Sequence, residues 1–124
     1  MTEDAARLLA TPVRADETFD GQSLDGATLA NLDLTRCVFQ DCSFEGARLS
    51  ESRFQACRFV RCSFWDAVFS HCRLDAAEER DACVFAFSRL DDARLTDCNL
   101  NLVRFDKSTA VETEFQRVSA TGLL

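Results

Sequence analysis

Leu or Phe recurs at every fifth position of the stretch LTRCVFQDCSFEGARLSESRF, residues 34–54 (Leu34, Phe39, Phe44, Leu49, Phe54). Five is the period of neither regular element. On an α-helix each step of five turns about 500° and scatters the residues over every face, and on a strand an odd period alternates between faces. The chain therefore repeats a unit that is neither helix nor long strand. Extended in both directions, the count gives centres at 19, 24, 29, 34, 39, 44, 49, 54, 59, 64, 69 and 74, then at 85, 90, 95, 100, 105, 110, 115 and 120; eighteen of the twenty are Leu or Phe, and only Ala110 and Ala120 depart. Ten of the eleven phenylalanines stand at centres.

A second inward site precedes each centre by two. All seven cysteines (Cys37, Cys42, Cys57, Cys62, Cys72, Cys83, Cys98) occupy it, together with Ala27, Ala47, Ala67 and Ala93. The four glycines lie two after a centre, where a corner would want positive φ. Each unit reads as a short straight piece followed by a corner.

These residues resemble the pentapeptide repeat proteins, whose pattern is a small residue, a polar one, Leu or Phe, and two polar ones. CSFEG, ARLSE, CRFVR, CSFWD and AVFSH match it, and the resemblance covers about residues 17–120. It implies an all-β fold, a right-handed quadrilateral parallel β-helix in which four units make a coil and residues twenty apart stack. Such repeats bury a continuous core only against their neighbours.

The spacing slips between Leu74 and Phe85, eleven residues apart. Two registers are open. Another unit plus one residue would put a polar or charged residue near Glu79 into the core. An external loop at 75–82 instead gives five coils and the all-Phe column Phe19/Phe39/Phe59/Phe85/Phe105, and this register is adopted. At about 4.8 Å per coil the rod is roughly 24 Å long. Both ends would expose strand edges. Residues 1–15 are expected to cap the first coil, with a short helix over 2–11 that starts after Thr2 and ends before Pro12; residues 16–122 form the β-helix. Leu123 and Leu124 either fold over the last coil or meet a second subunit, so the chain is a monomer or a C-terminally mediated homodimer.

The remaining chemistry is sparse. The cysteines are odd in number, lack a CxxC pair and sit at small core positions, so they read as buried thiols rather than metal ligands or disulfides. His71 falls on an outward corner with no nucleophile or carboxylate constellation around it. No catalytic residue, metal site or cofactor is expected. With 21 acidic and 14 basic residues the net charge is −7, which argues against direct nucleic-acid binding and for a basic protein partner. There is no 18-residue apolar run and no secretory signal in MTEDAARLLATPVR, so no membrane partner and a cytoplasmic location are expected.

Surface features mark candidates for partner binding. In the adopted register Asp25, Glu45, Trp65, Asp91 and Val111 form one corner column, with Gly26, Gly46, Asp66, Asp92 and Glu112 beside it, so six carboxylates line one edge. Trp65 and Phe87 are large aromatics at outward positions. The loop carries Glu78, Glu79 and Arg80 at its tip. Two functions fit. The chain resembles the quinolone-resistance branch of the family, which implies a DNA-mimicking binder or protector of type II topoisomerase, DNA gyrase or topoisomerase IV. A 24 Å rod replaces only about 7 base pairs carrying about 14 phosphates, so mimicry requires a dimer or a modest affinity. The alternative is a structural or adaptor module that grips another protein through the aromatics and the loop.

Overall fold

The computed structural model describes residues 2–122, which form a right-handed parallel β-helix of about five coils preceded by one short α-helix. Its strands are three residues long, and each lies beside the equivalent strand of the next coil. Three of the four faces are parallel sheets. The first contains 13–15, 33–35 and 53–55; the second 18–20, 38–40, 58–60, 84–86 and 104–106; the fourth 28–30, 48–50, 68–70, 94–96 and 114–116. The third face is narrower and is joined by single parallel bridges, Ser23 to Ser43 to Ser63 to Arg89 to Thr109.

The register follows from what each unit must bury. The centre of each three-residue strand points inward, so an aligned ladder places like on like. Phe19, Phe39, Phe59, Phe85 and Phe105 face one another in turn along the second face. Their rings stack at centroid separations of 4.6, 5.2, 4.8 and 5.2 Å, close to the coil spacing itself. Phe44 and Phe64 stack likewise on the third face at 4.5 Å, and the two columns meet edge to face, as in Phe59 with Phe64 at 5.3 Å. Complete burial of one such ring contributes about 3 kcal/mol.

The small residue before each centre closes the corner from inside. All seven cysteines are free thiols and no more than 3% exposed. Six of the seven Sγ–H groups point to a carbonyl of the preceding coil, as in Cys62 to Phe39 O at 3.3 Å and Cys83 to Phe54 O at 3.0 Å, and that of Cys37 points to Thr35 O of its own coil at 3.6 Å. Ser88 takes the same place with an O–H donated to Phe59 O at 3.1 Å, which lets a buried hydroxyl stand in the column without an unmet hydrogen bond. Burial pushes the Cys57 thiol up to about 12 and that of Cys83 up to about 11.

The corners need a left-handed residue but not glycine. Besides the four glycines, residues such as Arg36, Asp41, His71 and Phe87 hold φ of 51–54° at the equivalent place. The inter-coil bonds of each corner, among them Arg36 N–H to Gln55 O at 2.8 Å, over-determine the conformation.

Between the buried Leu74 and Phe85 the chain leaves the ladder and returns in register: Phe59 pairs with Phe85, and Phe69 with Leu95. Ala76 still donates to Asn101 O at 3.2 Å, Glu79–Asp81 forms a single 3₁₀ turn, and Glu78, Glu79 and Arg80 are exposed. Ala82 is already buried where the chain rejoins the coil.

The two ends differ. The helix Glu3–Ala10 packs Ala5 and Leu8, both buried, on the first coil. Thr2 caps it by accepting from Ala5 N–H and also donates to Ser23 O at 2.6 Å, while Asp4 accepts from Ser23 N–H at 2.9 Å, so the lid satisfies the open edge as well as covering the core. At the other end no further coil lies over the last centres among the described residues: Phe105 is half-buried, Ala110 is exposed and Phe115 is 43% exposed. The sequence places Phe115 in the core, and its position in the last coil is what exposes it. The expectations for Leu123 and Leu124 lie outside the described residues.

Two outcomes test this packing. Phe59→Ala should lower the unfolding free energy in urea by about 3–5 kcal/mol, while Phe115→Ala costs about 1 kcal/mol or less. Titration with a thiol reagent should find the seven cysteines unreactive in the native protein and all reactive in denaturant; rapid labelling of several without denaturant contradicts the inward columns.

Candidate interaction surface

Because the interior is filled by the centres and small residues, the remaining side chains are stacked along four flat faces and four corners. Residues twenty apart, or twenty-six across the loop, become neighbours. Three corners use that proximity to neutralise charge. At the corner between the first and second faces Arg36 Nε bonds Asp16 Oδ1 at 2.7 Å. Between the second and third, Arg61 Nε bonds Asp41 Oδ1 at 2.8 Å and Lys107 Nζ lies 5.6 Å from the Phe87 ring. Between the fourth and first, Arg117 Nε bonds Asp97 Oδ1 at 2.6 Å, with His71 Nε2 3.8 Å from the same carboxylate.

Hydrogen bonds from these guanidinium groups hold Asp16, Asp41 and Asp97 below the usual carboxylate range. The sign is that of a depressed acid: the pairs are intact above the ordinary carboxylate pKa and are lost as pH falls through the depressed values.

The corner between the third and fourth faces is different. Its turn column is Gly26, Gly46, Asp66, Asp92 and Glu112, with Asp25, Glu45, Trp65, Asp91 and Val111 one residue before. Of these carboxylates only Asp91 has an ion pair among the described residues, to Arg89 Nε at 2.9 Å. Asp91 also accepts from Val111 N–H at 2.8 Å, and that bond, with Arg89, holds its carboxyl low. Asp25 accepts from Ser43 Oγ and from Glu45 N–H at 2.9 Å, and Glu45 accepts from Ser63 Oγ at 2.8 Å. These three carboxylates join successive coils. Asp66, Asp92 and Glu112 remain, exposed and without an ion pair among the described residues.

Trp65 stands among them, 39% exposed, with its indole N–H donated to Asp92 Oδ2 at 3.0 Å. Trp65, Asp66, Asp92, Arg94, Glu112 and Thr113 line a shallow groove along this edge. Arg94 is engaged by Glu114 at 3.3 Å, and Arg48 lines the adjoining groove without closing an ion pair.

The sequence-derived candidates therefore separate into three places. Asp25, Glu45, Trp65, Asp66, Asp91, Asp92 and Glu112 share one edge. Phe87, 58% exposed, lies across the third face at the opposite corner. Glu78, Glu79 and Arg80 stand at the corner between the first and second faces, diagonal to Trp65. There Arg80 Nε pairs with Glu78 Oε2 at 2.8 Å, and the groove beneath is lined by Arg58, Glu79, Arg80 and Arg104. Arg94, Thr113 and Glu114 are not among the sequence-derived binding candidates, although stacking Arg94 on Glu114 twenty residues on identifies the pair. Among the described residues no three His, Cys, Asp or Glu side chains converge as metal ligands, and no helix is long and apolar enough to cross a membrane.

A family model, pentapeptide repeats (9 copies), matches residues 34–78. Over those residues the chain matches pentapeptide repeats, and the same stacking register continues on either side of them. No curated protein matches the sequence. Similar solved structures include a pentapeptide repeat protein from the Arabidopsis thaliana thylakoid lumen (22% identity, TM-score 0.37, covering 75% of this chain and 61% of that one). QnrB1, a plasmid-mediated fluoroquinolone resistance protein, is 21% identical (TM-score 0.37, 90% of this chain and 48% of that one). Rfr23 from the cyanobacterium Cyanothece 51142 is 13% identical (TM-score 0.37, 94% and 97%). The chain thus spans less than two thirds of the length of the first two.

The division of labour along the edge is testable by unfolding. Asp91→Ala should lower the denaturation midpoint because it removes both the Arg89 pair and the Val111 bond, whereas Asp66→Asn, which keeps a side chain suited to the left-handed corner, should leave the midpoint unchanged. Equal losses would show that Asp66 also carries structure.

Proposed function

We propose that the protein is a non-enzymatic interaction module that presents the edge between its third and fourth faces to a basic surface on a protein partner. One observation carries this reading: each of the other three corners holds a stacked Asp–Arg pair, and of their turn-column carboxylates only Glu51 has no ion pair among the described residues, whereas this one keeps Asp66, Asp92 and Glu112 unpaired beside an exposed tryptophan. An aromatic anchor surrounded by charge is the composition of a recognition patch, since buried aromatics dominate interface energies and charges set partner choice. The free thiols suit a reducing compartment, and a cytoplasmic location goes with the proposal.

The most concrete partner is the DNA-binding saddle of a type II topoisomerase, DNA gyrase or topoisomerase IV, which the resemblance to the quinolone-resistance branch suggests. The acidic edge favours it. The internal pairing of Asp16, Asp41, Asp91 and Asp97 limits it, because those charges are already spent within the rod. An adaptor that grips a basic segment of another protein through Trp65 asks less of the charge and is the reading the geometry supports better.

Binding to purified gyrase, with and without linear DNA, and capture of partners from lysate separate the two. For a duplex mimic, DNA competes, rising salt weakens binding steeply, and the triple variant Asp66→Asn/Asp92→Asn/Glu112→Gln loses it. For an adaptor, DNA does not compete and Trp65→Ala costs more than the triple variant. A partner held equally by wild type and both variants overturns the assignment of this edge.

A further inference from the structure

We infer that Trp65 is the platform for an arginine side chain of the partner, an assignment that rests on the reading of this edge as the recognition surface. The indole has one polar group, and Asp92 Oδ2 already takes its N–H at 3.0 Å. That bond ties down the one polar group of the ring, so what the 39% exposed side chain offers a partner is its π-system. The face of an indole attracts cations more strongly than that of any other side chain.

The chain's own cations are placed elsewhere. Lys107 covers Phe87, the other exposed corner aromatic, at 5.6 Å, and Arg14 covers Phe19 at 5.7 Å. Arg89 is held by Asp91 at 2.9 Å and Arg94 by Glu114 at 3.3 Å, while Arg48, which pairs with Val68 from the preceding coil, lines the adjoining groove with Asp66 and Asp92 and does not lie over the ring. Among the described residues no cation lies over Trp65. The protein thus saturates one exposed corner aromatic with its own cation and leaves the other open, beside unpaired carboxylates.

The chemistry selects arginine over lysine. A guanidinium is planar and weakly hydrated, so it can lie flat on the indole while its edge N–H groups reach carboxylates. Asp66 lies in the coil of the ring, Asp92 in the next and Glu112 in the one after, all lining the same groove as the indole, and the second oxygen of Asp92 remains available. An ammonium is a compact, strongly hydrated point charge that can use either the ring or a carboxylate well, but not both in one plane. The coil spacing of about 4.8 Å along this column is close to one helical turn of about 5.4 Å, so a second basic side chain one turn along a partner helix would reach the next carboxylate.

The chain has a single tryptophan, so one indole N–H resonance of the ¹⁵N-labelled protein reports this site alone. Titration with hexa-arginine amide should move that resonance saturably, with hexalysine binding roughly threefold more weakly and hexacitrulline, which lacks the charge, leaving it unmoved. In Asp66→Asn/Glu112→Gln the spectrum should stay that of the folded protein while the hexa-arginine affinity falls roughly fivefold. An indole signal that stays still while amides at Asp16, Asp41 or Asp97 shift would overturn the assignment, as would an equal response to hexacitrulline or equal affinities for arginine and lysine. If the natural partner is lost on Trp65→Ala and yet the indole shows no arginine preference, the edge stands and the arginine assignment falls.

Discussion

Stacking of each coil's inward side chains on those of the next is the interaction on which the rest of the molecule depends. A three-residue strand cannot persist alone, and a five-residue unit buries only one large and one small side chain. Aligned on parallel neighbours, the same units form a continuous column in which ring follows ring at 4.5–5.2 Å. That separation suits both aromatic packing and the inter-strand hydrogen bond, so a single register satisfies the two together. Any slip by a residue would turn the Phe column outward and put Thr18, Val38 and Arg58, or Asp20, Gln40 and Val60, in the place of its first three rings.

The surface is a consequence of that register. Once the centres are stacked, everything two residues after them is stacked too, and the corner charges repeat with the coils. A column of alternating sign neutralises itself, as Asp16 with Arg36 and Asp41 with Arg61 do. A column of one sign cannot. The six additional residues between Leu74 and Phe85 matter to this, because the return in register sets Asp91 and Asp92 beside Trp65 and Asp66. Had the chain continued without the excursion, His71 and not Asp97 would still follow Glu51, but a different set of side chains would stand against Trp65.

Much of this was legible from the period alone. The all-Phe column chose between the two registers because a polar residue near Glu79 cannot be buried without a partner, and the small positions located the thiols. What could not be read were the commitments of individual carboxylates. Asp25 and Asp91 stand one residue before the turn and each accepts the N–H twenty residues on, of Glu45 and Val111, while Asp66 stands in the turn column and accepts neither. Within the same column Glu45 instead accepts from Ser63 Oγ, a difference of side-chain length that the period does not carry. Nor does the period say which coil is last: Phe115 satisfies the pattern and is exposed because a centre is buried only by coils on both sides of it. The grouping of the loop tip with Trp65 failed for a related reason, since adjacency on a four-sided rod depends on which corner a residue occupies and not on its distance along the chain.

The acidic edge runs against the stability of the rod that carries it. Like charges stacked one coil apart repel, and at each of the other corners a stacked Asp–Arg pair relieves part of that repulsion. Here part is relieved through the bond from the Trp65 indole to Asp92, and the glycines at 26 and 46 keep the first two coils of the turn column free of charge. The repulsion is therefore concentrated in the coils that hold Trp65 and the two that follow. A basic partner would relieve it on binding, because each carboxylate that meets a cation loses an unfavourable neighbour as well as gaining a favourable one. The same stacking that builds the core thus makes charge patterning cooperative along an edge, and it gives this scaffold a means of concentrating unpaired charge at one corner while the other three hold stacked Asp–Arg pairs.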